Sequence, residues 1–323
     1  MATPVLEAAL ADARFSQVRI VLRAHLARVL EDGPCAPHLA LVRSDSEEVA
    51  LYRELAPDAV LLLSNSLGAA WRALRGGVKL RAGSGLAGRR WLLQRSHVPP
   101  TRGGRRLSTP TAELQRDVAA LLEIRVPDLH PHLVVREELA NEEHARLLRL
   151  GVDPARGYVL CCPGAAYGAA KLWPVEHFAA ALDGLFERHG WRGVVTGGPG
   201  EEALCDEVAR RTRHGAVSLA REERDLARLK ALVRGSRMLL VGDSGPRWYA
   251  AAFDVPCVSV MGPNDPLLTA SSLEHARIVR RSDLECSPCM QRVCPLGHHV
   301  CMRELAPERV LEAAEELLVQ SAP

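Results

Sequence analysis

Short apolar runs alternate along the chain with longer amphipathic stretches, a pattern that predicts strands and helices in series. Val5, Leu6, Ala9 and Leu10 recur at helical spacing behind Thr3-Pro4, a cap and first-turn proline, so the chain opens on a helix. Val18–Leu22 then reads as a strand, Ala24–Leu30 as a helix, His38–Val42 as a strand, Ser46–Leu55 as a helix and Ala59–Leu63 as a strand. Behind Ser64-Asn65-Ser66 a helix runs through Trp71 and Leu74, followed by a short strand at Val78–Arg81. Alternation at this pitch implies a parallel sheet covered on both faces. A doubly wound domain normally begins with its central strand. This half begins with a helix and reads as one whose first strand is missing.

Residues Arg81–Thr109, rich in Gly, Arg, Ser and Pro, carry little periodicity and read as a long loop, any one residue of which is expected on a flexible surface. Helices are expected around Ala112–Leu122 and Asn141–Leu150, with Gly151–Gly157 as the interdomain linker. The second half repeats the pattern. Its strands are expected at Tyr158–Cys162, Val194–Gly197, Ala216–Leu219, Met238–Val241 and Cys257–Met261, with Val279 ending another. Its helices fall at Pro174–His189, Glu201–Thr212, Asp225–Gly235 and Arg247–Phe253, and Pro307 opens a last one with Val310, Leu311, Ala314, Leu317 and Leu318 on one face. The expectation is an α/β protein of two parallel-sheet domains, residues 1–150 and 151–323.

Composition narrows this picture a little. A chain of 323 residues can bury two cores, and 47% apolar with 25% charged residues is ordinary for a soluble globular protein. The net charge of +2 gives no general pull toward nucleic acid, although Arg102, Arg105 and Arg106 make a local basic group. No apolar run reaches the ~18 residues that span a bilayer, and the start lacks the pattern of a secretory signal. A cytoplasmic protein is expected.

Ligands of open α/β sheets bind at the carboxyl ends of strands, and three loops of the second half fall there. In the first, the apolar run Tyr158–Cys162 enters Gly164–Lys171, a small-residue loop with one lysine, and Pro174 then opens a helix. Backbone N–H groups and the helix dipole can face an anion there; a plain βα connection is the other reading. The second loop, Thr196-Gly197-Gly198-Pro199-Gly200-Glu201-Glu202, sets an acid where it can bond ribose hydroxyls, and is a poor match to GxGxxG. The third is Gly242-Asp243-Ser244-Gly245-Pro246, where Asp243 alone could merely cap the helix at Arg247. Together these loops suit a nucleotide diphosphate without demanding a metal.

Nine cysteines are many for a cytoplasmic chain, and an odd number cannot all pair. Cys161 and Cys162, ending a buried strand, read as packing residues. Cys286, Cys289, Cys294 and Cys301 put four thiols in a short segment with His298 and His299. Such a group can hold zinc tetrahedrally, or remain reduced loop thiols or form an occasional disulfide.

Three stretches, in order, carry a resemblance. Cys162-Pro163-Gly164-Ala165 through Lys171-Leu172-Trp173-Pro174-Val175-Glu176-His177-Phe178 resembles the signature of the heptosyltransferases of lipopolysaccharide core synthesis, glycosyltransferase family 9. Asp243-Ser244-Gly245-Pro246, Ala250-Ala251-Ala252 and Gly262-Pro263-Asn264-Asp265-Pro266 are similar to a second motif, and Cys286–Met302 to a segment of the heptosyltransferase II branch. Asn65-Ser66 and the Arg81–Pro100 region fit the acceptor half. The resemblance implies a GT-B architecture, two Rossmann-like domains facing a cleft, with acceptor on the first and nucleotide sugar on the second. It implies inverting transfer of heptose from ADP-heptose to the inner core of a lipid A-linked oligosaccharide, with no cofactor required. The enzyme would be cytoplasmic, at the inner face of the membrane. Lys171 matches the family's phosphate lysine, Gly164 lies in the same signature, Asp243 and Gly245 match the second donor loop with Ser244 alongside, and Glu201 or Glu202 would take the ribose.

Two departures qualify those implications. In the family a strand and a Gly-Asp loop precede the first helix, and that aspartate is the catalytic base. Here Met1–Leu6 resembles the segment after that loop, so the catalytic residue is unknown in this sequence. Either Met1 is an internal methionine of a longer reading frame, or the chain is a truncated, non-catalytic relative that still binds nucleotide sugar. A same-fold transferase of another sugar is the remaining alternative. The second departure is Trp248, where the family usually has histidine; indole can donate a hydrogen bond but not accept one.

Overall fold

The computed structural model describes residues 1–103 and 105–320. Gly104, within the expected Arg81–Thr109 loop, and residues 321–323, at the end of the expected second domain, lie outside the described residues, as does the side chain of Arg105 in the basic group. Two compact units form: Met1–His132 with Leu267–Ser271, and Leu133–Pro266 with Ser272–Pro323.

The first unit runs α1 (Thr3–Ala11), β1 (Ile20–Arg23), a short α2 (Ala27–Leu30), β2 (Leu39–Val42), α3 (Asp45–Leu55), β3 (Ala59–Leu62), α4 (Leu67–Arg75), β4 (Leu80–Ser84) and β5 (Arg95–His97). A two-stranded antiparallel hairpin, β6 (Thr101–Arg102) with β7 (Arg105–Arg106), precedes α5 (Thr111–Ala119). Helix starts follow local chemistry. The Ser44 hydroxyl accepts from Glu47 N at 3.1 Å to cap α3, and Ser66 does the same for α4 from Ala69 N at 3.3 Å. Ala56 closes α3 in the left-handed region, φ 42°.

The strands of this unit are parallel but form two sheets, β1–β2 and β3–β4–β5. Among the described residues no strand pairs with the outer edge of β1 or of β3. Val21 of β1 and Val60 of β3 nevertheless pack on one cluster, Tyr52, Ala73 and Val78. The two pieces share a helical layer without sharing a hydrogen-bonded strand.

The second unit runs α6 (Glu137–Arg149), β8 (Tyr158–Cys162), α7 (Val175–His189), β9 (Arg192–Val195), α8 (Glu202–Arg211), β10 (Val217–Ser218), α9 (Leu226–Gly235), β11 (Met238–Gly242), α10 (Arg247–Ala252), β12 (Cys257–Val260), β13 (Ala276–Val279), α11 (Val300–Arg303) and α12 (Pro307–Gln320). Its sheet is parallel throughout, in the order β10-β9-β8-β11-β12-β13. The first strand of this unit, β8, is central. The apolar runs of β8 and β11, and β12 with its single buried Ser259, are buried along their whole length, as central strands covered on both faces must be. One continuous core joins Val159, Leu182, Leu185, Leu240, Val258 and Leu317.

Two expectations about organisation need correction. The units divide after His132, not at 150/151. Val135 and Leu139 pack against Ala227 and Ala231 of α9, and the buried Lys230 ammonium donates to Val134 O at 2.9 Å, so the segment from Leu133 onward is core of the second unit. The expected linker at Gly151–Gly157 is a turn between α6 and β8, with positive φ at both terminal glycines. The second correction concerns Arg81–Thr109. Much of it is structured, because strand β4 runs on to Ser84 and β5 pairs beside it. Arg89 is fully buried and donates to Ser84 O at 2.8 Å, Ser84 Oγ at 3.0 Å and Ser66 O at 3.0 Å. Ser84 Oγ in turn donates to Asn65 Oδ1 at 2.6 Å.

Candidate functional site

In the second unit the order in which strands are added reverses between β8 and β11, the switch point where parallel sheets open a crevice. Cys162 stands opposite Val241 in that pair, and Cys161 opposite Val195 of β9. The loops after β9, β8 and β11 therefore leave from three adjacent strand ends.

The β8 loop passes through Gly164 and a 3₁₀ turn, Ala169–Lys171, into α7. Pro174 precedes the helix and no side chain caps its first turn, which leaves the N-terminal dipole without a side-chain acceptor. Lys171 is buried. Its ammonium pairs with Asp243 Oδ2 at 2.7 Å and donates to Asp243 O at 3.2 Å. Asn264 Nδ2 donates to the same Oδ2 at 2.5 Å, so Asp243 is held from both sides. Lys171 also stands 4.6 Å from the centre of the Tyr167 ring.

Glu201 turns inward. Its carboxylate accepts from Gly198 N at 2.7 Å and fills the space where a Cβ on Gly164 would stand. Glu202 faces Arg224, whose guanidinium, helped by the backbone N–H groups of Glu202 and Gly200, holds its carboxyl down to about 2. Ser244 is half-buried and Gly245 exposed, with open space where a Cβ on Gly245 would lie. Of the residues singled out from sequence, Gly164, Lys171, Glu201 and Asp243 come together, with Ser244 and Gly245 adjoining. Tyr167 and Arg292 were not singled out, and Asn264 entered only as a member of a motif; three-dimensional contact shows what each of them touches.

Gly164→Ala is expected to drive the Glu201 carboxylate off Gly198 N and lower the melting temperature by several degrees. Gly245→Ala meets no neighbour, so its melting temperature should match wild type. A Gly164→Ala protein that melts with wild type would show that the Glu201 contact carries no weight.

All nine cysteines are free thiols. Burial pushes the Cys161 and Cys162 thiols up, and the Cys257 thiol to about 11, which suits packing residues rather than nucleophiles. In the Cys286–Cys301 segment, backbone N–H groups from His299, Leu296, Gly297 and His298 hold the Cys294 thiol below its usual range. Burial, then the charges of the other three thiols, raises Cys301. Among the described residues no three His, Cys, Asp or Glu side chains are grouped so as to hold a metal ion. Trp248 lies under Arg247, 4.5 Å from guanidinium to ring. No helix among the described residues is long and apolar enough to cross a membrane.

Parallel α/β sheets in both units, the second with loops gathered at its switch point, set the class: a GT-B type α/β protein. Residues 50–300 match the family model described as glycosyltransferase family 9 (heptosyltransferase), and the chain belongs to that family. It is 32% identical over 162 residues to lipooligosaccharide heptosyltransferase 2 of Campylobacter jejuni, a match covering 49% of this chain and 50% of that one. The match thus spans about half the length of that relative. Among solved structures, a family 9 glycosyltransferase from Veillonella parvula superposes with a TM-score of 0.81 at 22% identity, over 99% of this chain and 93% of that one. The ADP-heptose lps heptosyltransferase II of E. coli gives 0.72 at 22% identity, over 99% and 95%. At such identity the likeness concerns the fold.

Proposed function

We propose that this protein is an inverting glycosyltransferase that moves a heptose from ADP-heptose to the inner core of a lipid A-linked oligosaccharide. The observation that carries the reading is the buried Lys171–Asp243 pair at adjacent strand ends beside the start of α7. Single displacement inverts the anomeric carbon. It needs a base for the acceptor hydroxyl proton and positive charge for the departing diphosphate. Lys171 and the α7 dipole supply the second requirement, so no cofactor is required, and EDTA is expected to leave ADP affinity unchanged. In this reading the second unit takes the donor through Gly164, Lys171, Asp243, Ser244 and Gly245, with Glu201 or Glu202 near the ribose. The first unit takes the acceptor. Lipid linkage of the acceptor places the work in the cytoplasm against the inner membrane face, as a peripheral protein.

Calorimetry with ADP and UDP, followed by a transfer assay with ADP-heptose, tests this. Binding of ADP in preference to UDP, with transfer, supports it; absence of binding to either sinks it. The divided sheet of the first unit favours a second reading, a relative that binds nucleotide sugar without turnover. ADP binding with no transfer would select that one.

A further inference from the structure

The Cys286–Met302 segment lies outside the parallel sheet, yet it is tied to the loops that follow β8 and β12. Ser287 Oγ donates to Gly262 O at 2.7 Å and Met290 N to Pro263 O at 2.8 Å, which fixes it to the loop carrying Asn264. On its other side Ala170 N donates to Arg292 O at 3.0 Å, and the Tyr167 hydroxyl to Met290 O at 2.8 Å. His299 Nε2 stands 2.8 Å from Ala170 O, a contact that needs the proton on that nitrogen. Gly168 completes the junction, since a Cβ there would run into the Arg292 backbone.

This bracing brings a second cation to the site. The Arg292 guanidinium lies 5.2 Å from the centre of the Tyr167 ring, the ring that Lys171 also approaches. The two cations differ in their surroundings. Lys171 is buried and matched by Asp243. Arg292 is exposed and makes no ion pair with any described residue. A cation at an exposed site, here over the half-buried Tyr167 ring, is held by only ~0.5–1 kcal/mol, which leaves its N–H fork available. A guanidinium fork fits two phosphate oxygens at once.

We infer that Arg292 is a second phosphate-binding residue, delivered by the cysteine-rich segment so that it and Lys171 together take the two linked phosphates of a nucleoside diphosphate. The inference rests on the nucleotide-diphosphate reading above and adds a specificity to it. One phosphate cannot engage both cations as well as two, so diphosphates are preferred to monophosphates.

The test is calorimetry on the full chain with ADP, AMP and inorganic pyrophosphate, for wild type, Arg292→Ala and Arg292→Lys. Arg292→Ala should weaken ADP and pyrophosphate about tenfold and AMP by less than about twofold, with a shallower salt dependence. Arg292→Lys should recover part of the loss, because it restores charge without the fork. Melting temperature should stay within about a degree of wild type, as for an exposed side chain. ADP binding of Arg292→Ala equal to wild type overturns the inference and leaves the nucleotide reading intact. Equal losses for ADP and AMP with a lowered melting temperature overturn it too, since Arg292 would then merely prop the loop. A wild-type chain that binds neither ADP nor pyrophosphate removes both.

Discussion

Lys171→Ala is expected to bind ADP roughly a hundredfold more weakly than wild type, about 2.7 kcal/mol. Two effects add. The diphosphate loses a charge-assisted donor, an interaction of about 1.5–3 kcal/mol. The Asp243 carboxylate, left without its 2.7 Å partner in a mostly buried place, then faces the incoming anion with a like charge. Calorimetry with ADP on wild type and Lys171→Ala measures the loss. If Lys171→Ala binds ADP as well as wild type, the phosphate assignment fails.

The second large effect is on stability. Arg89→Met keeps the apolar stem but removes the guanidinium that satisfies Ser84 O, Ser84 Oγ and Ser66 O. Ser84 Oγ keeps its bond to Asn65 and Ser66 is exposed, so the main cost is the buried Ser84 O left short of a donor, about 1–3 kcal/mol in the first unit. Urea unfolding followed by circular dichroism should show an earlier transition. ADP affinity, which the proposed function assigns to the second unit, should not move. An unshifted unfolding curve would mean that these three bonds contribute nothing net.

Arg89 also shows where sequence reading stops. Glycine, serine and arginine in a stretch without periodicity read as surface, and the energetics of a buried guanidinium depend on carbonyls brought close by the fold. In the second unit the sequence was far more informative. Continuous apolar runs such as Met238–Val241 can satisfy their side chains only at the centre of a covered sheet, and the structure puts them there. Loop chemistry was legible one loop at a time. Lys171 and Asp243 were each visible as candidates, but their salt bridge depends on β8 and β11 being neighbours, a pairing no local pattern encodes. Tyr167 and Arg292 escaped for the same reason. The unit boundary was misplaced because Gly151 and Gly157 look like linker residues, whereas the deciding contacts of Val135 and Leu139 are long-range.

The edges of β1 and β3 that no strand among the described residues pairs with have a consequence for handling the protein. A strand edge with unpaired N–H and C=O groups is a template for another chain, and parallel edges flanked by apolar side chains such as Val21 and Val60 are strong ones. Light scattering should rise with concentration, and amides of Ile20–Arg23 and Ala59–Leu62 should exchange with deuterium sooner than those of the fully flanked β8.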